Sequence, residues 1–297
     1  MRGASARSVD PPLGPALSTC DLVALEHTLQ WAPPDLKLHS KGLGDAGACL
    51  IAHRLTAELP RPGLRELRLF KNGIGDAGAA AIGHALATNA TLRSLYLHSN
   101  CIGAKGCAAL ARALRTNSTL SVLFLKSNRI GDEGTAALSE ALALGDGASA
   151  CVLNTLYIQE NGIGVPGARA MGAALRENRT LTTLGMQCNE LGDEGVRALA
   201  DGLAENCALQ TLDLFHTGAA ESGAAALGAA MHTNASLTYL SLGYSKAVGA
   251  AGAAALTAAV GEGNTTLRTL SLHNVGVGDA HAGSSLRSAA AGSRLSR

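Results

Sequence analysis

LRELRLFKNGIGDAGAAAIGHALATNAT, running from Leu64 to Thr91, decides the fold. Its opening phrase, Leu-x-x-Leu-x-Leu, restarts at Leu92, Leu120, Leu153, Leu181, Leu209, Leu237 and Leu267, usually 28 residues apart, and a partial copy precedes them at Asp35 to Leu38. A fixed period of this length marks an array whose units contact only their neighbours. Within the unit, Leu67 and Leu69 share one face of a short strand while Glu66, Arg68 and Phe70 take the other. Asn72 and Ile74 turn the chain inward, Gly73 and Gly75 give backbone freedom, and Asp76 is placed to cap the following helix. That helix buries Ile82 and Leu86 at i, i+4. Parallel strands stack about 4.8 Å apart and helices need about 8–10 Å, so the stack must curve with its strands inside. The expected fold is an α/β horseshoe solenoid with parallel strands on the concave face and helices on the convex face.

Working outward, residues 1–34 are expected to form an N-terminal segment and end cap, 35–286 a repeat domain of about nine repeats, and 287–297 a flexible tail. Leu22, Val23, Leu29 and the sole tryptophan, Trp31, read as the helix covering the open end. Gly145 to Ser149 enlarge one loop between a helix and the next strand. The last three copies replace the turn asparagine with Thr217, Ser245 and Val275, which predicts a less regular C-terminal third.

The chain of 297 residues is 47% hydrophobic but only 3% aromatic, with 36 glycines, so its core is built from Leu, Ala and Val. A net charge of +1 offers no field for nucleic acid or an anionic membrane. The opening residues lack the apolar stretch of a signal peptide, and no run of apolar residues is long enough to span a bilayer. Seven cysteines without a Cys-x-x-Cys pair fit free thiols in the cytoplasm. Five glycosylation sequons, at Asn89, Asn117, Asn178, Asn234 and Asn264, all fall just after the helix. Asparagine there reads as a left-handed terminator followed by a small turn residue.

No cofactor, metal or catalytic residue is expected. Gly73, Gly75 and Gly78 match the dinucleotide fingerprint, but the pattern recurs at Gly42, Gly44 and Gly47 and at Gly162, Gly164 and Gly167, as a repeated turn would. The histidines form no metal-ligand spacing, and no nucleophile has an evident base.

The seven Phe and Tyr residues are more telling. Phe70, Tyr96, Phe124, Tyr157, Phe215, Tyr239 and Tyr244 all occupy strand positions facing away from the core. Tyr96, Phe124 and Tyr157 hold the same place in consecutive copies, in line with Arg68. Lys71, His98 and Lys126 lie beside them, with Glu66, Glu160 and Asp213 as counterweights. Aromatic and arginine side chains dominate binding hot spots. The partner-binding set is therefore Arg68, Phe70, Lys71, Tyr96, His98, Phe124, Lys126, Tyr157 and Glu160, for a protein or peptide with acidic and apolar features.

With strand, asparagine turn and full helix in about 28 residues, the copies resemble ribonuclease-inhibitor-type leucine-rich repeats. The pattern Asn-x-Ile-Gly-Asp-x-Gly-Ala, seen from Asn72 and from Asn128, most resembles the repeats of NOD-like receptors with caspase-recruitment domains. The resemblance implies a sensing or docking module, since the repeats leave no room for the nucleotide-binding and effector domains of such receptors. The same repeat class also includes enzyme regulators, the activating protein of the Ran GTPase and ribonuclease inhibitor. Against these stand a missing acidic C-terminal stretch and too few cysteines. A structural role in a cytoskeletal or ciliary assembly is a third reading.

Overall fold

The computed structural model describes residues 18–30, 32–56, 63–143, 151–261, 264–276 and 285–287. Trp31, the Gly145–Ser149 loop and residues 288–297 lie outside them. Strands β1 (Asp35–Lys37), β2 (Glu66–Arg68), β3 (Ser94–Tyr96), β4 (Val122–Phe124), β5 (Thr155–Tyr157), β6 (Thr183–Gly185), β7 (Thr211–Asp213), β8 (Tyr239–Ser241) and β9 (Thr269–Ser271) form one parallel sheet in chain order. Helices alternate with them: α2 (Gly44–Thr56), α3 (Asp76–Leu86), α4 (Ala104–Leu114), α5 (Gly131–Ala143), α6 (Val165–Glu177), α7 (Gly192–Glu205), α8 (Glu221–Thr233) and α9 (Gly249–Gly261). A last strand, β10 (Ser285–Arg287), pairs antiparallel to β9. The result is the expected α/β horseshoe, strands inside and helices outside.

The repeated leucines sit in register across the sheet, Leu67 against Leu95, Leu123, Leu156, Leu184, Leu212, Leu240 and Leu270. All are at most 1% exposed, and among the described residues the buried core contains no aromatic ring. Small residues let the helices approach closely: a Cβ on Gly202 would fall 2.1 Å from the Gly172 carbonyl oxygen of the neighbouring helix. At the N-terminal end, α1 (Thr19–Gln30) packs on α2, with Arg54 bonded to Glu26 at 2.9 Å. Its buried pair is Leu25 and Leu29, whereas Val23 is 61% exposed. The stripe runs Leu22, Leu25, Leu29 at i, i+3, i+7 spacing, which turns Val23 away from α2.

Two rows of asparagine side chains join the repeats. In the turn after the strand, Asn100 accepts the backbone N–H groups of Asn72 (2.9 Å) and Ile74 (3.1 Å) from the preceding repeat. It donates to the carbonyls of Leu69 (3.1 Å) and Leu97 (2.8 Å). Asn72 and Asn189 do the same in their copies, and Asn128 and Asn161 each accept one N–H, from Ile102 and Ile130, while donating to two carbonyls. The row stops at Thr217, whose hydroxyl donates only to Leu214 in its own turn, and Ser245 Oγ has no partner. A short 3-10 helix, Lys246–Val248, follows there, in keeping with the expected irregularity.

The second row is formed by the sequon asparagines together with Asn206. Asn178 and Asn234 have φ/ψ of −68°/135° and −72°/123°, so they are extended, where a left-handed conformation was expected. The side chain makes the turn instead. Asn117 Oδ1 accepts from Thr119 N (3.0 Å) and Leu120 N (2.7 Å), while Nδ2 donates to the Leu86 and Asn89 carbonyls of the preceding repeat. The left-handed residues are those just before the turn asparagine, including Lys71, Ser99, Ser127, Glu160 and Cys188.

Asp76 also differs from expectation. It caps the next helix and not its own: Asp76 Oδ1 accepts from Gly103 N and Gly106 N at 2.8 Å each, as Asp45 does from Gly75 and Gly78, and Asp132 from Gly164 and Gly167. A carboxylate at a helix N-terminus is stabilised by both the hydrogen bonds and the helix dipole. The N–H groups that a dinucleotide phosphate would need in the Gly73 and Gly162 copies of the fingerprint are thus already occupied.

Two predictions follow from this stitching. Asn100→Ala orphans the N–H groups of Asn72 and Ile74, while the Leu69 and Leu97 carbonyls keep the donors Asn72 and Asn128, and urea denaturation should show a loss of about 2–4 kcal/mol. Asp132→Ala should cost about 1 kcal/mol and speed amide exchange at Gly164 and Gly167 in α6, leaving the N-terminus of its own helix, α5, unchanged.

Candidate docking face

Parallel pairing carries each outward-facing strand position straight across the sheet, so residues that share a place in the repeat become rows. Arg68, Tyr96, Phe124 and Tyr157 are paired in sequence along one row. The ring centroids of Tyr96 and Phe124 lie 4.7 Å apart and those of Phe124 and Tyr157 4.5 Å, and Arg68 Cζ stands 5.3 Å from the centre of Tyr96. All three rings are half-buried. Each such contact contributes about 0.5–1.5 kcal/mol to folding. Burial and Glu66 raise the Tyr96 phenol above its ordinary value against the opposing pull of Arg68, so it stays a neutral donor.

Two residues further along each strand lies a second stack. His39, Phe70 and His98 are nearly parallel, with centroids 4.4 Å and 4.2 Å apart. Sequence reasoning left His39 out, although the partial copy at Asp35 to Leu38 already gives it the register of Phe70. Burial, then Lys126, Lys71 and His39, push the His98 imidazole below its usual value. The row goes on to Lys126, which pairs with Glu160 at 3.0 Å. Glu160 also accepts from Ser127 Oγ at 2.6 Å, and this bond, opposed by burial and aided by Lys126, leaves its carboxyl below the ordinary range. Arg68 is likewise paired, with Glu66. Lys71 stands at the edge of the face, in the left-handed position before the turn asparagine.

All nine expected binding residues thus share one face. Two of its cations, Arg68 and Lys126, carry carboxylate partners, so the face is aromatic with paired charge, less basic than its composition suggested. A separate group gathers toward the C-terminal end. Phe215 lies 4.9 Å from Tyr244 of the adjacent repeat, and 5.6 Å from His273 one repeat further on, beyond β8. Gly243 allows this, because a Cβ there would stand 2.5 Å from the His273 ring.

Among the described residues no three His, Cys, Asp or Glu side chains converge as a metal site would require, and no helix is long and apolar enough to cross a membrane. Burial raises the thiols of Cys107, Cys151 and Cys188, which weakens them as nucleophiles at neutral pH.

The depressed His98 gives a signed pH expectation. Its neutral form is favoured in the folded chain, so protonation opposes folding and stability should fall as pH drops below the unfolded value of 6.5. NMR titration should place the His98 midpoint below 6.5, and His98→Phe should flatten that part of the stability profile.

Five segments, residues 64–83, 88–111, 116–139, 177–200 and 233–256, match the family model described as Leucine Rich repeat. No curated protein matches the chain. Solved structures to which the chain is similar include leiomodin-1 actin-binding site 2, at 20% identity and TM-score 0.39, covering 63% of this chain and 91% of that one. The tropomodulin C-terminal domain of Caenorhabditis elegans is similar at 14% identity and TM-score 0.37, covering 62% and 92%. A chain of the yeast Rad7 and Elc1 complex is similar at 18% identity and TM-score 0.38, covering 89% and 85%. Likenesses this distant carry nothing about a partner. The matched segments and the alternation of strand and helix identify the fold as a leucine-rich repeat solenoid.

Proposed function

We propose that this chain is a non-enzymatic protein-interaction module that holds a protein or peptide on its concave strand face. The observation that carries the reading is the row Arg68, Tyr96, Phe124 and Tyr157. Rings worth most to a core are placed outside it, stacked, half-buried and backed by rigid strands. Such anchors are pre-organised, so binding them costs little side-chain entropy. The second stack, His39, Phe70 and His98, widens the apolar surface. The acidic partner expected from sequence loses support, because Arg68 and Lys126 already face carboxylates. A partner segment with apolar and aromatic side chains fits the ladder better.

A full helix after each of strands β1 to β8 supports the ribonuclease-inhibitor type, and the pattern from Asn72 and Asn128 supports the docking repeats of NOD-like receptors as an analogy. The thiols of Cys49, Cys101, Cys107, Cys188 and Cys207, none of them in a disulfide, and sequon amides that already donate to carbonyls of the preceding repeat, fit a cytoplasmic protein.

The test is quantitative affinity purification from the source cell with the wild type and with Tyr96→Ala, Phe124→Ala, Tyr157→Ala, after circular dichroism shows both folded. A partner held by the wild type should be lost by the variant, with each central ring worth about 2–4 kcal/mol of binding. Equal recovery would move the docking site to the helices or the rims.

A further inference from the structure

The aromatic row ends at a gap. After Tyr157 the next residue in line is Gly185, and after it comes Asp213. A Cβ at Gly185 would stand 2.5 Å from Tyr157 Cδ1, 2.7 Å from Gln159 Nε2 and 2.9 Å from Gln187 Oε1, so three side chains lean into the space that glycine leaves. The two glutamine amides are the far ends of flexible side chains and can swing back, while the Tyr157 ring stays in its stack.

The polar groups around this gap are left incomplete in a consistent way. Gln159 is only 9% exposed, and both Gln159 Oε1 and Gln187 Oε1 are covered without any hydrogen-bond donor. Asp213 accepts from Gln187 Nε2 and, at 3.1 Å, from Phe215 N. Among the described residues no cation pairs with it. Glu160 adds a second carboxylate, offset by Lys126. The region therefore holds unmet acceptors and a net negative charge beside a tyrosine whose second face meets no other ring among the described residues.

We infer that the gap over Gly185 is the seat of an arginine side chain of the protein partner. The guanidinium lies against Tyr157, donates to the Gln187 amide oxygen at the gap and to that of Gln159 once its amide, whose nitrogen faces the gap, turns over, and faces the Asp213 carboxylate. A planar group with several fixed donors suits two amide oxygens and a ring face together, whereas a lysine ammonium offers only a point charge. An acidic side chain would meet acceptors and like charge. This inference rests on the concave-face reading and adds the partner's chemistry to it. Bound segments then run with apolar residues over Phe124 and Tyr96 and arginine at the β6 end.

The test uses phage-displayed random peptides selected on the immobilised full chain. Enriched peptides are resynthesised and titrated against the wild type, Asp213→Asn, Gly185→Leu, and Tyr96→Ala with Phe124→Ala. The inference predicts a shared arginine whose replacement by citrulline, a neutral isostere, weakens binding about tenfold or more. Asp213→Asn and Gly185→Leu should weaken it similarly. The citrulline comparison stands even if Gly185→Leu fails to fold. Peptides lost on the ladder variant but lacking a basic residue, or indifferent to citrulline and to Asp213→Asn, would overturn the arginine seat and leave the docking face standing. Peptides indifferent to all the variants, or no enrichment, would overturn both.

Discussion

A strand of three residues cannot satisfy its own backbone, and the architecture depends on how the loose ends are met. At five turns, those of Asn72, Asn100, Asn128, Asn161 and Asn189, an asparagine amide spans the boundary between repeats, as Asn100 does between the turn at Asn72 and the strand ends at Leu69 and Leu97. A side chain with both an acceptor and a donor at fixed angle is required there. Serine or threonine supplies one hydroxyl, and where they replace asparagine the bridge is lost. Buried backbone groups left unpaired are costly, so the amide fixes where strand stops and turn begins.

The same logic recurs after the helices and at their N-termini. Asn117 closes its own loop with Oδ1 and reaches the preceding repeat with Nδ2, and Asp76 crosses to the following helix. Every repeat therefore completes a neighbour, and few side chains are left over for the concave face to spend on structure. That face is free to carry rings that the leucine core does not need. Strand spacing then brings equal positions within stacking distance, which turns a coincidence of repeat position into a rigid aromatic row.

Much of this was legible in the sequence. The leucine period gave strand faces and register, and the shared position of Tyr96, Phe124 and Tyr157 was enough to foresee the stack. The misses arise where one repeat acts on another. Asp76 looks like a cap for its own helix because that helix is adjacent in the chain, yet the curvature brings the next helix's N-terminus to its carboxylate. The sequon asparagines looked left-handed because the residue type permits it, but their side chains make the turn and leave the backbone extended. The glycines at 185 and 243 showed as absences, and which side chains lean into them depends on how the repeats stack. Ion pairing of Arg68 and Lys126 was likewise invisible to a count of charges.

The most direct measurement is hydroxyl-radical footprinting of the chain alone and in complex with a partner captured from the source cell. Docking on the concave face predicts that oxidation of Tyr96, Phe124 and Tyr157 slows on complex formation, while exposed helix residues such as His84 and His232 keep their rates. Unchanged rates at the three rings, with protection appearing on the helical side, would contradict it.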